Sequence, residues 1–321
     1  MIRWGILGAG NIAHRFAASL AHVEGAELVA ASCRSEGKAH AFLDAVPCAE
    51  GANAYGDHAA LLADPDVDAV YLATPHAFHR AWALATIEAG KAVLCEKPAM
   101  LTAEEAREVT AAAHDAGVLF MEAMKTRFVP LHDTVVRHVG ELGRIERVEA
   151  SLCNDSLGHY IGTDVYVLGG GAGSGVLLDC GIYCASWLEE LLPGSIGVTG
   201  AACTRYEDGS DVYCDGELTI GGVSAELECA CDRAKPRELR VTGTNGTLVV
   251  EDLHRPQRAR LVAADGSEHA IEMPYEVDDF YGQIAHFCGL MRAGATESPV
   301  MPHAATVRCA QILDAVSGAM D

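Results

Sequence analysis

The stretch Val93-Leu94-Cys95-Glu96-Lys97-Pro98 ends an apolar run in two opposite charges and a proline. A lysine held at the end of an apolar strand is either a solvated side chain or a group able to move a proton, and the proline fixes the backbone beside it. A second chemical signal is Gly8-Ala9-Gly10-Asn11-Ile12-Ala13, a G-x-G-x-x-[GA] spacing that follows a strand-like run and opens a helix-like one. Gly8 permits the tight turn, Gly10 lets backbone approach a pyrophosphate, and Ala13 lets helix and strand pack closely. The free N–H groups and positive dipole end of the helix then suit phosphate. Gly8, Ala9, Gly10, Asn11 and Ile12 are therefore candidate dinucleotide contacts. The second strand-like run ends in Cys33-Arg34-Ser35 with Lys38 one turn on. An acid in that slot would suit the ribose 2′-hydroxyl of NAD; a guanidinium flanked by hydroxyls suits a 2′-phosphate. The expected cofactor is NADP, with NAD as the alternative because Glu36 lies close by. Asp179 and Tyr183 stand four apart, a spacing that places both on one face of a helix.

These groups need a scaffold. Residues 2–7, 27–33, 68–73, 92–95 and 118–121 read as apolar strands, separated by helix-like 11–21, 37–46, 79–89 and 103–116. Strands apolar throughout, alternating with amphipathic helices, predict a parallel sheet covered on both faces. Residues 1–122 are thus an expected α/β domain, a Rossmann-type doubly wound parallel sheet. The rhythm then changes. Strand-like 145–153, 198–204, 217–220, 224–231, 238–242, 247–251 and 259–263 follow with little helix between them, and Asn245-Gly246 signals a hairpin. Residues 123–321 are an expected α+β domain with a large open, mostly antiparallel sheet and helices at 131–139, 176–192, 277–291 and 304–319. The last of these is expected to pack back on the first domain. The glycine-rich run 169–175 lacks a preceding strand and a terminal Lys-Ser/Thr, so it is not a second phosphate loop.

The chain has 321 residues, half of them hydrophobic, and a formal net charge of −22. That field repels nucleic acid and anionic membrane surfaces, and an anionic ligand requires a local basic exception, which Arg34 and Lys38 supply. No apolar stretch reaches bilayer-spanning length, and the first residues lack the pattern of a signal peptide, so a cytoplasmic protein is expected. Twelve cysteines sit mostly singly in apolar runs. Cys180/Cys184 and Cys229/Cys231 lack the two-by-two spacing of a zinc site, so no metal is expected.

Several motifs in order resemble the glucose-fructose oxidoreductase / inositol dehydrogenase / MocA family over nearly the whole length. They are Gly8 to Ala13; Ala73-Thr74-Pro75-His76 with His79; Glu88-Ala89-Gly90-Lys91 leading into Cys95-Glu96-Lys97-Pro98; and Leu178-Asp179-Cys180-Gly181-Ile182-Tyr183. Met121-Glu122-Ala123 before Thr126-Arg127-Phe128, with Tyr183 where many sugar dehydrogenases of the family carry histidine, is most similar to the dihydrodiol and NADP-dependent xylose dehydrogenase branch. The resemblance implies hydride transfer between NADP(H) and a secondary alcohol or ketone of a sugar, sugar derivative or cyclic diol. It also implies a homodimer or homotetramer built through the C-terminal sheet. Lys97 is implied as a catalytic group, with Tyr183 and Asp179 beside it as catalytic and substrate-binding residues. Glu96 is implied at the nicotinamide-side ribose, and Thr74, Pro75, His76 and His79 in the loop lining the cofactor.

The chain departs from the branch at Lys125, which stands where tryptophan is usual. Pointing into a pocket, it would suit a substrate bearing a carboxylate or phosphate; pointing out, it would carry no meaning. Arg127 and Tyr160 are further substrate-binding candidates, and the loop 154–167, with His159, Tyr160 and Tyr166, is a candidate cap. Two rivals keep the fold: a non-catalytic NADP-sensing regulator, against which Lys97, Asp179 and Tyr183 together argue, and a glycosidase that cycles a tightly held NAD(P) without net turnover.

Overall fold

The computed structural model describes residues 1–163 and 166–320. The chain divides into two compact units. The first comprises Met1–Met100, Glu104–Met124 and Glu276–Thr306; the second comprises Leu101–Ala103, Lys125–Tyr275 and Val307–Asp321.

The first unit is built on β1 (Ile2–Leu7), α1 (Asn11–Leu20), β2 (Ala26–Ser32), α2 (Glu36–Asp44), β3 (Asn53–Tyr55), α3 (His58–Leu62), β4 (Ala69–Leu72), α4 (His79–Glu88), β5 (Ala92–Glu96), α5 (Ala103–Ala116) and β6 (Phe120–Ala123). The six strands are parallel in the order β3-β2-β1-β4-β5-β6. All residues of β4, β5 and β6 are buried, as a sheet covered on both faces demands. The helix α1 turns Ala13, Phe16, Ala17 and Leu20 inward. Phe16 stacks on Tyr71 of β4 at 3.8 Å and meets Trp4 of β1 edge-on at 5.2 Å, which seats the helix over the sheet. Strand order reverses between β1 and β4, so the loops leaving their carboxyl ends flank the crevice where α/β sheets bind ligands. Two elements lie outside the sequence expectation. The edge strand β3 has three residues, none buried, and so offers no apolar run; α3 has five and is capped by Asp57.

In the second unit come α6 (His132–Glu141), β7 (Ile145–Cys153), α7 (Leu157–Tyr160), α8 (Ile182–Leu191), β8 (Ile196–Arg205), β9 (Asp211–Ile220), β10 (Val223–Ala230), β11 (Glu238–Gly243), β12 (Gly246–Glu251), β13 (Arg258–Ala263) and β14 (Glu268–Glu272). The strands form one sheet in the order β14-β13-β12-β11-β7-β10-β9-β8. Only β10 and β7 pair in parallel; every other pair is antiparallel. The helix α8 covers one face over β7 and β10. The other face is polar, with Arg147 of β7 bridging Glu149 at 3.1 Å and Glu226 of β10 at 2.6 Å. The expectation of a strand at 217–220 catches only the end of β9, because its earlier outward residues include Asp211, Tyr213 and Asp215. The edge strand β14 was missed for the same reason, being Glu-His-Ala-Ile-Glu. The hairpin at Asn245-Gly246 forms one residue earlier, turning through Thr244 and Asn245. Gly246 has φ 151°, and a Cβ there would meet the Val262 carbonyl oxygen at 2.4 Å. The remaining helices are α9 (Tyr281–Ala293), which belongs to the first unit, and α10 (His303–Ala319), counted with the second unit from Val307 onward.

Candidate active site

At the crevice of the first unit, Gly8 takes φ +91°, and a Cβ there would lie 2.6 Å from the Ala73 carbonyl oxygen. The glycine is what lets the β1 and β4 loops touch, and Ala73 N–H closes on Leu7 O at 2.8 Å. Gly10 is the N-cap of α1 with ordinary extended dihedrals, and nothing lies within 4 Å of where its Cβ would be. No side chain caps α1 and no acid occupies its first turn, leaving donors and a positive dipole end facing open space. The Thr74 hydroxyl is buried without a hydrogen-bond partner, an orphan that a ligand group would satisfy. Beyond β2, Cys33 is buried while Arg34, Ser35 and Lys38 are exposed, and among the described residues neither cation enters an ion pair. Ser35 is the N-cap of α2 without a side-chain capping bond. Glu36 opens α2 and lies 3.7 Å from His40 one turn on. An uncapped glycine turn, an orphan hydroxyl and two uncommitted cations fit a dinucleotide with a 2′-phosphate.

Lys97 follows β5 and is half-buried; its peptide bond to Pro98 is cis. Glu96 is buried, accepting the Tyr71 hydroxyl on one carboxylate oxygen and the Lys97 N–H at 3.3 Å on the other. The two residues after Thr74 in the β4 loop differ from each other. Pro75 is exposed, whereas His76 is buried and meets the His79 ring edge-on at 5.6 Å. His79 has no exposed surface. Its Nδ1 lies 2.9 Å from Pro98 O and its Nε2 lies 2.8 Å from Thr74 O. Kept neutral by burial, the imidazole has one N–H and donates it to one of these two carbonyls. With no exposed surface it packs between the β4 and β5 loops and has no face to offer a cofactor, which corrects its expected role. Glu122, to which sequence reasoning gave no role, is also buried, and its Oε1 accepts the Ala99 N–H at 2.9 Å. The signal that could have found it is an acid inside the apolar strand β6.

In the second unit, Asp179 lies in a π-helical turn, Leu177–Gly181, that runs into α8. The expected single helix over 176–192 is therefore split, and i,i+4 spacing alone does not set the relation of Asp179 to Tyr183. Leu177 N–H donates to Asp211 at 2.7 Å, which seats the turn on β9. The Tyr166 hydroxyl donates to Asp179 at 3.2 Å. Burial, with the Asp179 charge and against a hydrogen bond from Ser156, pushes the Tyr160 hydroxyl up. Burial, then Asp232, Asp211 and Asp179, push the Cys231 thiol up to about 12. The Tyr166 hydroxyl and the Cys180 thiol, at 3.8 Å, thus both reach the Asp179 carboxylate. Tyr183 on α8 is 8% exposed and meets the His254 ring edge-on at 5.7 Å.

Lys125 is 4% exposed, which removes the outward-pointing reading. Arg127 is a second correction: its guanidinium is buried, bonding Ser186 Oγ and O at 2.9 Å each and pairing with Glu189 and Glu190 on α8. It braces α8 and is not offered to a substrate. Among the described residues no group of three or more His, Cys, Asp or Glu could hold a metal ion, and no helix is long and apolar enough to cross a membrane.

Comparison with known proteins places this geometry among dehydrogenases. Residues 2–124 match the model of an oxidoreductase family with an NAD-binding Rossmann fold, and residues 136–249 match the GFO/IDH/MocA C-terminal domain. A scyllo-inositol 2-dehydrogenase (NADP(+)) of Bacillus subtilis is 30% identical over 98% of this chain and 95% of its own. A trans-1,2-dihydrobenzene-1,2-diol dehydrogenase of Mus musculus is 32% identical over 98% of this chain and 95% of its own. Among solved structures, a 3-ketoreductase from Actinomadura kijaniata in complex with NADP and TDP-benzene superposes with a TM-score of 0.89 at 26% identity, covering 99% of this chain and 98% of the other.

Proposed function

The chain belongs to the GFO/IDH/MocA oxidoreductase family, and from this premise we propose how its residues work. It is an NADP(H)-dependent oxidoreductase acting on the CH–OH or ketone group of a sugar, polyol or diol. NADP, when bound, supplies the hydride acceptor or donor. The observation that carries the reading is the glycine turn. Open space over Gly10, the uncapped start of α1 and the orphan Thr74 hydroxyl converge at the carboxyl ends of β1 and β4. We assign the pyrophosphate to Gly8 through Ile12 and the 2′-phosphate to Arg34, Ser35 and Lys38, with Cys33 lining the adenosine side. Thr74, Pro75, His76 and Glu96 are assigned to the rest of the dinucleotide.

Lys97 Nζ is assigned to take the substrate hydroxyl proton during oxidation and, charged, to polarise the carbonyl during reduction. Asp179, Tyr183 and Tyr160 are assigned to the substrate, with the Tyr183 hydroxyl as a proton-handling group and the Tyr166 hydroxyl orienting the Asp179 carboxylate. Buried Lys125 is the candidate for a substrate carboxylate or phosphate. Twelve free cysteines, nearly all buried, support a reducing cytoplasmic setting. The polar face of the eight-stranded sheet is the surface we assign to a homodimer or homotetramer.

The test is a screen of the purified chain with NADP+ against aldoses, inositols, sugar acids and diols, read by NADPH absorbance. Lys97→Met is expected to bind NADP+ normally and lose turnover; unchanged turnover removes the lysine from the mechanism.

A further inference from the structure

We infer that Glu122 is a positioning residue for Lys97, acting through the Pro98–Ala99 peptide; the inference rests on Lys97 being the proton-handling group. Glu122 is 1% exposed and lies in β6, whose four residues are all buried. Its register partner is Cys95, two residues before Lys97. An apolar side chain would fill such a site without the unfavourable desolvation of a carboxylate, so the sheet itself has no need of the acid.

What the acid does is visible in the loop after β5. The Ala99 N–H donates to Glu122 Oε1 at 2.9 Å, and the carbonyl of the same peptide group, Pro98 O, lies 2.9 Å from His79 Nδ1. The N–H pole of this peptide plane is thus held by a buried side chain from β6. Its carbonyl pole lies against the buried His79 ring, whose single N–H serves either Pro98 O or Thr74 O, 2.8 Å from its other nitrogen. The Cys95 thiol reaches Ala99 O at 3.7 Å, holding the following carbonyl. Burial, then Glu122 and Glu96, push that thiol well up. Without an acceptor at position 122 the Ala99 N–H would be buried and unpaired, and the peptide plane would turn to find another partner. Lys97 is joined to that plane through Pro98, so its side-chain direction would respond.

The chain contains five lysines, so biosynthetic 13Cε-lysine labelling of the whole protein gives five resonances, with Lys97 assigned by its loss in Lys97→Met. In Glu122→Leu the Lys97 resonance is expected to move and its titration midpoint to shift by at least about half a pH unit, while Lys38 and Lys235 stay in place. Glu122→Gln, which keeps an acceptor for the Ala99 N–H, is expected to restore the wild-type resonance. A Lys97 resonance in Glu122→Leu that superposes on wild type overturns the inference, as does a shift shared by Lys38 and Lys235. If Glu122→Leu does not fold, Glu122→Asp decides: it keeps the charge but draws the oxygen back by one methylene, and an unmoved Lys97 resonance there is equally fatal. The parallel turnover assay of Lys97→Met separates the two ideas. Retained turnover ends the functional reading, whereas an unmoved resonance with turnover lost ends only the role of Glu122.

Discussion

Adding one methyl group at Gly8 and at Gly10 separates folding from binding in the glycine turn. At Gly8 the alanine Cβ would lie 2.6 Å from Ala73 O, 2.8 Å from Ala73 C and 3.0 Å from Thr74 N. All three are backbone atoms, so no side-chain rotation relieves the overlap. An alanine held at φ +91° costs about 1–2 kcal/mol, and overpacking against a fixed wall about 1–3 kcal/mol more. Gly8→Ala is therefore expected to lose about 2–5 kcal/mol of stability. At Gly10 φ is −88° and the added Cβ meets nothing within 4 Å. There the poorer N-cap preference of alanine, about 0.5–1 kcal/mol, is offset by the smaller entropy of its unfolded chain, about 0.4–1 kcal/mol. Stability should hardly change. The methyl group would nonetheless occupy the space assigned to pyrophosphate, so NADPH affinity is expected to fall at least tenfold, about 1.4 kcal/mol. Urea unfolding and a fluorescence titration with NADPH measure the two quantities on the same samples. Wild-type NADPH affinity in Gly10→Ala would refute the placement of the phosphates. Wild-type stability in Gly8→Ala would refute the account of the turn.

Arg34→Asp is expected to weaken NADP+ binding by about 1.5–3 kcal/mol, the worth of a hydrogen bond to a charged group, with little effect on NAD+; equal losses in equilibrium titrations would overturn the cofactor preference. Arg127→Met takes the cation from Glu189 of α8, while Glu190 keeps His132 at 2.7 Å, and is expected to cost about 3–5 kcal/mol in denaturant unfolding, with NADPH affinity unchanged. A selective rise in substrate KM at full stability would return Arg127 to the ligand. His58, His79 and His286 are all held below the usual histidine range, chiefly by burial. Their folded pKa values lie under the unfolded value of about 6.5, so the unfolded chain binds more protons in mild acid. Stability is expected to fall as pH drops through about 6.5; a urea midpoint that rises on acidification would contradict this.

Much of the first unit was legible because its determinants are local. Each of β1, β2, β4 and β5 is a mostly apolar run, and the glycine turn works through the positive φ of Gly8 and the missing Cβ of Gly10. The edge strands β3 and β14 escaped notice because a strand with polar, solvent-facing residues leaves no periodic mark. The π-helical turn at Asp179 escaped because its composition reads as ordinary helix.

Sequence by itself thus determined the layered α/β plan, the dinucleotide turn with its basic flank, and the family to which both belong. Tertiary structure alone decided what the polar side chains do. Arg127 could be read as a ligand anchor until α8, some sixty residues later, supplied Ser186 and Glu189. Glu122 had no role until β6 lay beside β5 and brought its carboxylate to the Ala99 N–H. The physical reason is that apolar burial is nondirectional and shows in the pattern of one segment. A hydrogen bond needs its partner at a set distance and angle, and only the packing of distant segments provides that partner.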